Sequence, residues 1–344
     1  MKKIIVFFHG KCFDGAVSAA LFKNFYMQCI DSFAEFEFVP LFHRKNFSYT
    51  ADMFEGDEHV VLDFRYPPTG KVQWWFDHHQ TTFMIPKDRK HFESRNRKEH
   101  FFWNPKAPSN AGFMADTLMR FYNFKMDSSW TEILEWADTI DSAAFESPEI
   151  PVELFDNPVA FAVLLEGADE GTLNKFINDL YEFGNFDEMA KTSFWSNKLN
   201  SIRQKNWDNV EDIRRVLDIK ENVSFVNLFE RVQSGYNKFI AYYLEPESEY
   251  TVALIRHHEH LKISVGGNPF LPEEKKGNFD IGKLCEKYGG GGHHNVGGIA
   301  FAIDDEETAR GVSNEILFIL RNFERDVHSL KARERIEEIP EFLD

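Results

Sequence analysis

The strongest constraint on the fold is a recurrence near the start of the chain. Three short apolar runs each stop at a residue able to bind a metal ion. Ile4-Ile5-Val6-Phe7-Phe8 stops at His9, with Asp14 shortly after. His59-Val60-Val61-Leu62 stops at Asp63, and Val72-Gln73-Trp74-Trp75-Phe76 stops at Asp77-His78-His79. Short apolar runs without polar alternation read as strands buried on both faces of a parallel sheet. A further strand is expected at Phe36 to Phe42, with helices at Gly15 to Tyr26, Ala111 to Phe124 and Trp130 to Asp141. Strands alternating with helices specify the α/β class. Ligands of an open parallel sheet bind beyond the carboxyl ends of its strands. The three terminating groups are therefore expected to meet in one crevice.

The rest of the chain reads as a second, smaller α/β domain behind a helical connection. Residues 84–110 look like a polar, irregular insertion, and residues 156–220 are mostly helical in pattern. Strands are expected at Val223 to Leu228, Phe239 to Tyr243, Tyr250 to Arg256, Leu261 to Val265 and Ile299 to Ile303. A helix from Ile281 to Tyr288 runs into Gly289-Gly290-Gly291-Gly292, and residues 306–344 read as an amphipathic helix with a charged end. The expected organisation is an N-terminal parallel-sheet domain over 1–190, a helical linker over 191–222, and a C-terminal domain over 223–344.

Composition narrows the partners. The formal net charge of −17 opposes long polyanions, because nucleic-acid affinity is largely counterion release at Lys and Arg. Short phosphate compounds remain open, since bound cations neutralise them locally. The 36 phenylalanines read as core, with a mild lean toward a base-containing ligand. Cys12, Cys29 and Cys285 are few, odd in number and far apart, which predicts a reduced, cytoplasmic protein. The first apolar run is too short for a signal peptide, and no stretch is long enough to span a membrane.

The donor mix has chemical meaning. Imidazole with carboxylate suits Mn2+, Zn2+ or Fe2+, whereas carboxylate alone suits Mg2+ or Ca2+. Two such ions can share a bridging carboxylate and clamp phosphoryl oxygens during in-line displacement. A further acid comes from the helical stretch containing Asp138 and Asp141, three apart and so on one face. Farther on, consecutive glycines let backbone N–H groups approach an anion, which makes Gly290, Gly291 and Gly292 candidates for phosphate contact, with His293 as an added donor. Asn268, at a strand end, and Arg256 are further candidates. His257, His258 and His260 read as surface histidines, and His43 is left open.

Phe76-Asp77-His78-His79 resembles the signature of the DHH phosphoesterase superfamily. His9 with Asp14-Gly15-Ala16-Val17-Ser18-Ala19 resembles its first motif and Val61-Leu62-Asp63 its second. Asp138 or Asp141 resembles the fourth. Tyr288-Gly289-Gly290-Gly291-Gly292-His293 is similar to the glycine-rich signature of the DHH-associated C-terminal domain. The resemblance covers nearly the whole chain, with the signatures in the expected order about two hundred residues apart. It implies two metal ions in the N-terminal domain, with His9, Asp14, Asp63, His78 and Asp138 as ligands and Asp141 as the alternative to Asp138. It also implies that Asp63 bridges, that His79 faces the scissile phosphate, and that Asp77 orients a histidine. One departure stands out. Aligning on Asp14 puts Cys12 where the family's first motif carries an aspartate. Cys12 is then either a softer ligand or a small buried residue.

The function expected is a divalent-metal phosphodiesterase acting on short oligonucleotides or cyclic dinucleotides. Two Mn2+ ions are expected, with Mg2+, Zn2+ or Fe2+ as alternatives. Long duplex nucleic acid and membranes are not expected partners, and a homodimer is allowed. The alternatives are a pyrophosphate or polyphosphate phosphohydrolase and a non-catalytic nucleotide sensor.

Overall fold

The computed structural model describes residues 1–42, 47–94, 100–232 and 236–323. His43 and the tail beyond 323, expected as a continued helix, lie outside the described residues. The chain divides into two compact units, one of residues 1–145 and 154–203 and one of 146–153 and 204 onward.

The first unit contains β1 (Lys3–His9), α1 (Phe13–Cys29), β2 (Glu35–Leu41), β3 (Glu58–Leu62), β4 (Trp74–Asp77), α2 (Pro86–Ser94) and β5 (His100–Trp103). Helices α3 (Asn110–Tyr122) and α4 (Ser129–Asp141) follow. A short α5 (Glu149–Glu153) belongs to the second unit. The first unit resumes with α6 (Asn157–Glu166), α7 (Glu170–Phe183) and α8 (Phe186–Lys191). The division then falls inside α9 (Ser193–Val216), which crosses most of the stretch expected to be linker.

The five strands pair in parallel in the order β2-β1-β3-β4-β5. This order reverses direction between β1 and β3, the switch point at which doubly wound sheets open a ligand crevice. Register does the rest. Phe8 pairs with Leu62, Leu62 with Phe76, and Phe76 with Phe102. The residues that follow, His9, Asp63, Asp77 and Trp103, therefore share one level at the carboxyl edge. Strand β5 and helix α2 correct the expectation of an irregular insertion over 84–110. Their polar flanks masked a four-residue run, His100-Phe101-Phe102-Trp103, that completes the sheet edge.

Aromatic packing holds this unit together. Trp75, Tyr26, Tyr66, Phe7, Phe8, Phe22, Phe25, Phe64 and Phe76 are fully buried. Each ring removes about 150–250 Å² from water. At about 25 cal/mol per Å² of apolar area, that is several kcal/mol per side chain as an upper bound. Trp75 also donates its indole N–H to Phe64 O at 2.9 Å, so its burial leaves no polar atom stranded. Helix α1 lies almost wholly buried over the sheet, with Ala16, Val17, Ala19, Ala20 and Leu21 inaccessible. Gly15 allows this packing: a Cβ there would come within 2.3 Å of His9 O.

The second unit is a six-stranded sheet in the order β10-β11-β9-β8-β7-β6. Its strands are β6 (Leu217–Lys220), β7 (Val223–Val232), β8 (Tyr250–Arg256), β9 (His260–Gly267), β10 (Gly291–His293) and β11 (Val296–Ala302). All neighbours run antiparallel except β7 and β8. Helices α10 (Ile240–Leu244), α11 (Ile281–Lys287) and α12 (Glu306–Arg321) complete it. The strand expected over Phe239 to Tyr243 is α10 instead. Its run of apolar residues is too short for periodicity to separate the two states. Burial of Ile240, Ala241 and Tyr242, the first two in one cluster with Val210 and Ile213, suits a helical turn. No described helix is long and apolar enough to cross a membrane.

Candidate metal centre

The donors come to one edge from β1, the start of α1, the ends of β3 and β4, and the end of α4. His9 ends β1, and its Nδ1 lies 3.2 Å from Asp63 Oδ2. Asp63 follows β3 directly and has left-handed backbone, with φ of 55°. Aspartate tolerates that region better than most residues. Its N–H still pairs with Phe76 O at 2.9 Å, so the ladder continues while the carboxylate turns into the crevice. Asp14 sits in the first turn of α1. Its two carboxylate oxygens accept from Asn110 N at 2.7 Å and Ala111 N at 2.9 Å, the first amides of α3. A helix N-terminus favours an anion there.

The Asp77-His78-His79 turn is held from outside. Asp77 Oδ1 accepts from His79 Nδ1 at 2.7 Å and from the backbone of His78 at 2.8 Å and His79 at 3.2 Å. Its Oδ2 accepts from Thr82 Oγ1. Trp103 Nε1 donates to His79 O at 2.9 Å. His78 Nδ1 lies 3.0 Å from Ala107 O, an acceptor, so Nδ1 carries the proton and Nε2 faces inward. Around that Nε2 stand Asp141 Oδ2 at 3.3 Å, Asp63 Oδ1 at 3.5 Å and Asp14 Oδ2 at 3.8 Å.

The two helical acids separate here. Asp141, the last residue of α4, reaches His78. Asp138 instead accepts from Ser109 Oγ at 2.5 Å, while that same oxygen caps α3 by accepting from Gly112 N at 3.0 Å. Gly112 lets the two helices close, since a Cβ there would sit 2.7 Å from Asp138 Oδ1. Of the two acids, Asp141 and not Asp138 joins a donor group with Asp14 and His78 among the described residues. Asp138 and Asp141 share a helix face, but three residues along α4 separate a helix–helix contact from the crevice.

The buried polar atoms carry the fit test for a cation. Asp63 is inaccessible to solvent, yet its Oδ1 has no hydrogen-bond partner among the described residues, and neither has His78 Nε2. Two buried polar atoms facing each other need a cation between them: a proton on His78 serves in the metal-free protein, and a metal ion can take its place. Three donor groups each bring their ligand atoms within 4.8 Å of one another: His9, Cys12 and Asp63; Asp63, His78 and His79; Asp14, His78 and Asp141. Asp63 and His78 each belong to two of them, so adjacent ions would share ligands. The residues fit a divalent pair.

Charge crowding shows in the acid–base chemistry. Burial pulls the His78 imidazolium down, but the close approach of Asp63 and the Asp14, Asp63 and Asp141 charges outweigh it, raising its pKa to about 10. His79 is likewise carried to about 9, burial being outweighed by Asp77 and Asp63. Burial, then repulsion from Asp63 and Asp141, pushes Asp14 well above the carboxylate range. Burial and Asp63 raise Asp141 to about 6. Asp63 is also penalised by burial, yet His78 and His9 hold it below the usual range. Without metal, the centre keeps protons where cations would sit.

The second unit's candidates fare differently. Asn268 is buried and spends its amide on Pro246 O at 3.0 Å and Ser248 O at 2.8 Å, while its Oδ1 accepts from Phe270 N at 3.0 Å. That makes it a loop anchor, which corrects its assignment as an anion contact. Arg256 donates to Phe229 O at 2.8 Å and to Glu306, an internal tie between β8, β7 and α12. Both residues end or follow strands, which in sequence looks the same as presentation to a ligand. Gly290 and Gly292 are required by packing, because a Cβ would come within 2.3 Å of Gly298 O and 2.1 Å of Val296 O respectively. Gly291 has open space where a Cβ would project. His293 ends β10 and pairs with Val296. The His257 and His260 rings stack with centroids 4.7 Å apart where β8 turns into β9, outside every donor group found among the described residues.

Neither a protein-family model nor a curated protein matches the chain. Solved structures do. The chain is similar to the pGpG-specific phosphodiesterase PggH of Vibrio cholerae, with a TM-score of 0.63 and 20 % identity, over 92 % of this chain and 99 % of that one. It is similar to the DHH domain of a protein assigned to a family of ribosomal proteins, with a TM-score of 0.54 and 15 % identity over 92 % of this chain and 86 % of that one. It is also similar to RecJ of Thermus thermophilus in complex with Mn2+, with a TM-score of 0.53 and 13 % identity. That match covers 92 % of this chain but 52 % of RecJ. The chain has the fold of these DHH proteins.

Proposed function

We propose that the protein is a divalent-metal phosphodiesterase that hydrolyses small nucleotides, with dinucleotides such as pGpG the leading substrate class. The observation that carries this is the pair of buried atoms, Asp63 Oδ1 and His78 Nε2, facing each other without hydrogen-bond partners among the described residues where three donor groups meet. His9, Asp14, Asp63, His78 and Asp141 would hold two ions, Mn2+ first, as in the RecJ complex that shares the fold. When bound, such ions neutralise phosphate charge and activate water.

The chain's own residues supply orientation and proton handling. Asp77 fixes the His79 ring through Nδ1, which aims Nε2 away from Asp77 toward a phosphate oxygen. Ala107 O sets the His78 tautomer so that a lone pair stays available. The amides of α3 hold Asp14 in place as charge accumulates. The net charge of −17 favours a short substrate over a long strand. PggH, whose length this chain covers almost completely, acts on a dinucleotide. Gly291, with open space where a Cβ would project, is the member of the glycine run kept as the candidate for phosphate contact. The described cysteines are all free, which suits a reducing cytoplasm.

The test is hydrolysis of pGpG, other dinucleotides, cyclic dinucleotides and pyrophosphate with Mn2+, comparing wild type with Asp63→Ala and His78→Ala. Cleavage of dinucleotides by wild type alone supports the proposal. Equal turnover in all three proteins removes it, and preference for pyrophosphate transfers the site to phosphoanhydride chemistry.

A further inference from the structure

The donor groups around Asp63 are chemically unequal. Asp14, His78 and Asp141 offer two carboxylates and an imidazole, while His9, Cys12 and Asp63 offer one imidazole, one sulfur and one carboxylate, all within 4.8 Å. Cys12 occupies the N-cap position of α1, with extended backbone at φ −118° and ψ 135°. The partial positive charge of a helix N-terminus favours an anionic sulfur there. Cys12 is half-buried beside the other donors, unlike Cys285, which is sealed in the second unit's core. The sulfur does not stand alone. The inaccessible Asp63, with one carboxylate oxygen lacking a partner among the described residues, lies in the same group.

We propose that Cys12 is a thiolate ligand of the ion held by His9 and Asp63, and that it tunes this position toward softer cations such as Zn2+, Co2+ or Fe2+ over Mg2+. This rests on the metal centre proposed above. Thiolate favours borderline and soft ions, whereas the Asp14–His78–Asp141 group accepts harder ones. The two positions would then differ in metal preference. Ligation exchanges the sulfur-bound proton for the metal: the S–H bond breaks, a sulfur–metal bond forms, and the proton leaves to solvent.

Cobalt makes the sulfur visible. The full chain, stripped of metal and loaded with Co2+, should show visible ligand-field bands and a near-ultraviolet thiolate-to-cobalt charge-transfer band. Cys12→Ser should lose the charge-transfer band and keep the ligand-field bands. Cys12→Asp should do the same and shift competitive metal retention from Zn2+ toward Mn2+ and Mg2+, with circular dichroism unchanged. Ligand-field bands without charge transfer in wild type would overturn the thiolate ligand and leave the metal centre standing. A charge-transfer band surviving in Cys12→Ser would assign it to another thiol and overturn the proposal equally. Failure to bind Co2+ at all would overturn the metal centre, and this proposal with it.

Discussion

The turn after β4 and the glycine run after α11 are built in opposite ways. In the first, Asp77, Thr82, Ala107 and Trp103 bind the outside of the motif, and the inward-facing His78 Nε2 is left without a hydrogen-bond partner among the described residues. In the second, the unusual residues are consumed by the fold itself. Gly290 and Gly292 exist so that β10 can lie against β11, and Gly297 so that β11 can pass Cys285, whose sulfur would lie 2.6 Å from a Cβ. Both stretches look equally functional as strings of letters. A buried polar atom that the fold leaves unsatisfied points to a ligand, whereas an unusual residue that the fold uses points to architecture.

The largest effect expected belongs to the shared ligand. Asp63→Ala should lower turnover by more than the roughly 10–100-fold that outer-shell partners typically cost, because it removes a donor from two groups at once. In the metal-free variant Asp14 and Asp141 lose a repulsive neighbour while His78 and His79 lose a counter-charge, so thermal unfolding is measured beside the assay. Metal analysis beside the assay separates the two effects. Asp77→Ala should follow with a loss of about 10–100-fold in activity at saturating metal, by freeing the His79 ring.

Packing predictions sharpen the contrast from the other side. Gly292→Ala should destabilise the protein by about 1–3 kcal/mol in denaturant unfolding, as overpacking does, with activity falling only as the folded fraction falls. Gly291→Ala should leave stability nearly unchanged. If it also leaves KM unchanged, phosphate contact by the run is removed from the account. Asp138→Ala should cost about 1–2 kcal/mol by removing the acceptor of Ser109 Oγ and loosening the α3 cap, without loss of metal.

The pH dependence is diagnostic of the metal-free centre. His78 and His79 have an ordinary pKa of 6.5 and are raised to about 10 and about 9 in the folded, metal-free protein. Their imidazolium form is stabilising in full below about 6.5, and that contribution fades as pH climbs through the raised values. The melting temperature of metal-free protein should therefore fall between about pH 6.5 and about 10. Mn2+ should flatten the slope, because it replaces the proton at His78, and its binding should release protons when measured calorimetrically in buffers of different ionisation enthalpy. A metal-free melting curve insensitive to pH would contradict the crowded-carboxylate picture.

Much of this was legible in the chain. Strands β1, β3 and β4 announce themselves as unbroken apolar runs, and the residues that stop them are the ones the sheet gathers. A strand end is a covalent fact, and parallel register carries it directly into space. Strand β5 and helix α10 were hidden because runs of four or five residues hold too little periodicity. Tertiary neighbours, not propensity, chose their state. The roles of Asn268 and Arg256 were equally hidden, since presentation to a ligand and anchorage of a loop use the same residue types at the same strand ends.

The order of polar and apolar residues along single strands was enough to specify the α/β class and the candidate donors His9, Asp14, Asp63, Asp77, His78 and His79. Packing in three dimensions was needed to separate Asp138 from Asp141, to draw Cys12 into the group with His9 and Asp63, and to assign Ala107 to hold His78. Those outcomes depend on where α3 and α4 pack against each other and against α1. Less than one turn of helix, about 5.4 Å of rise, is enough to carry a carboxylate from a cap into the crevice.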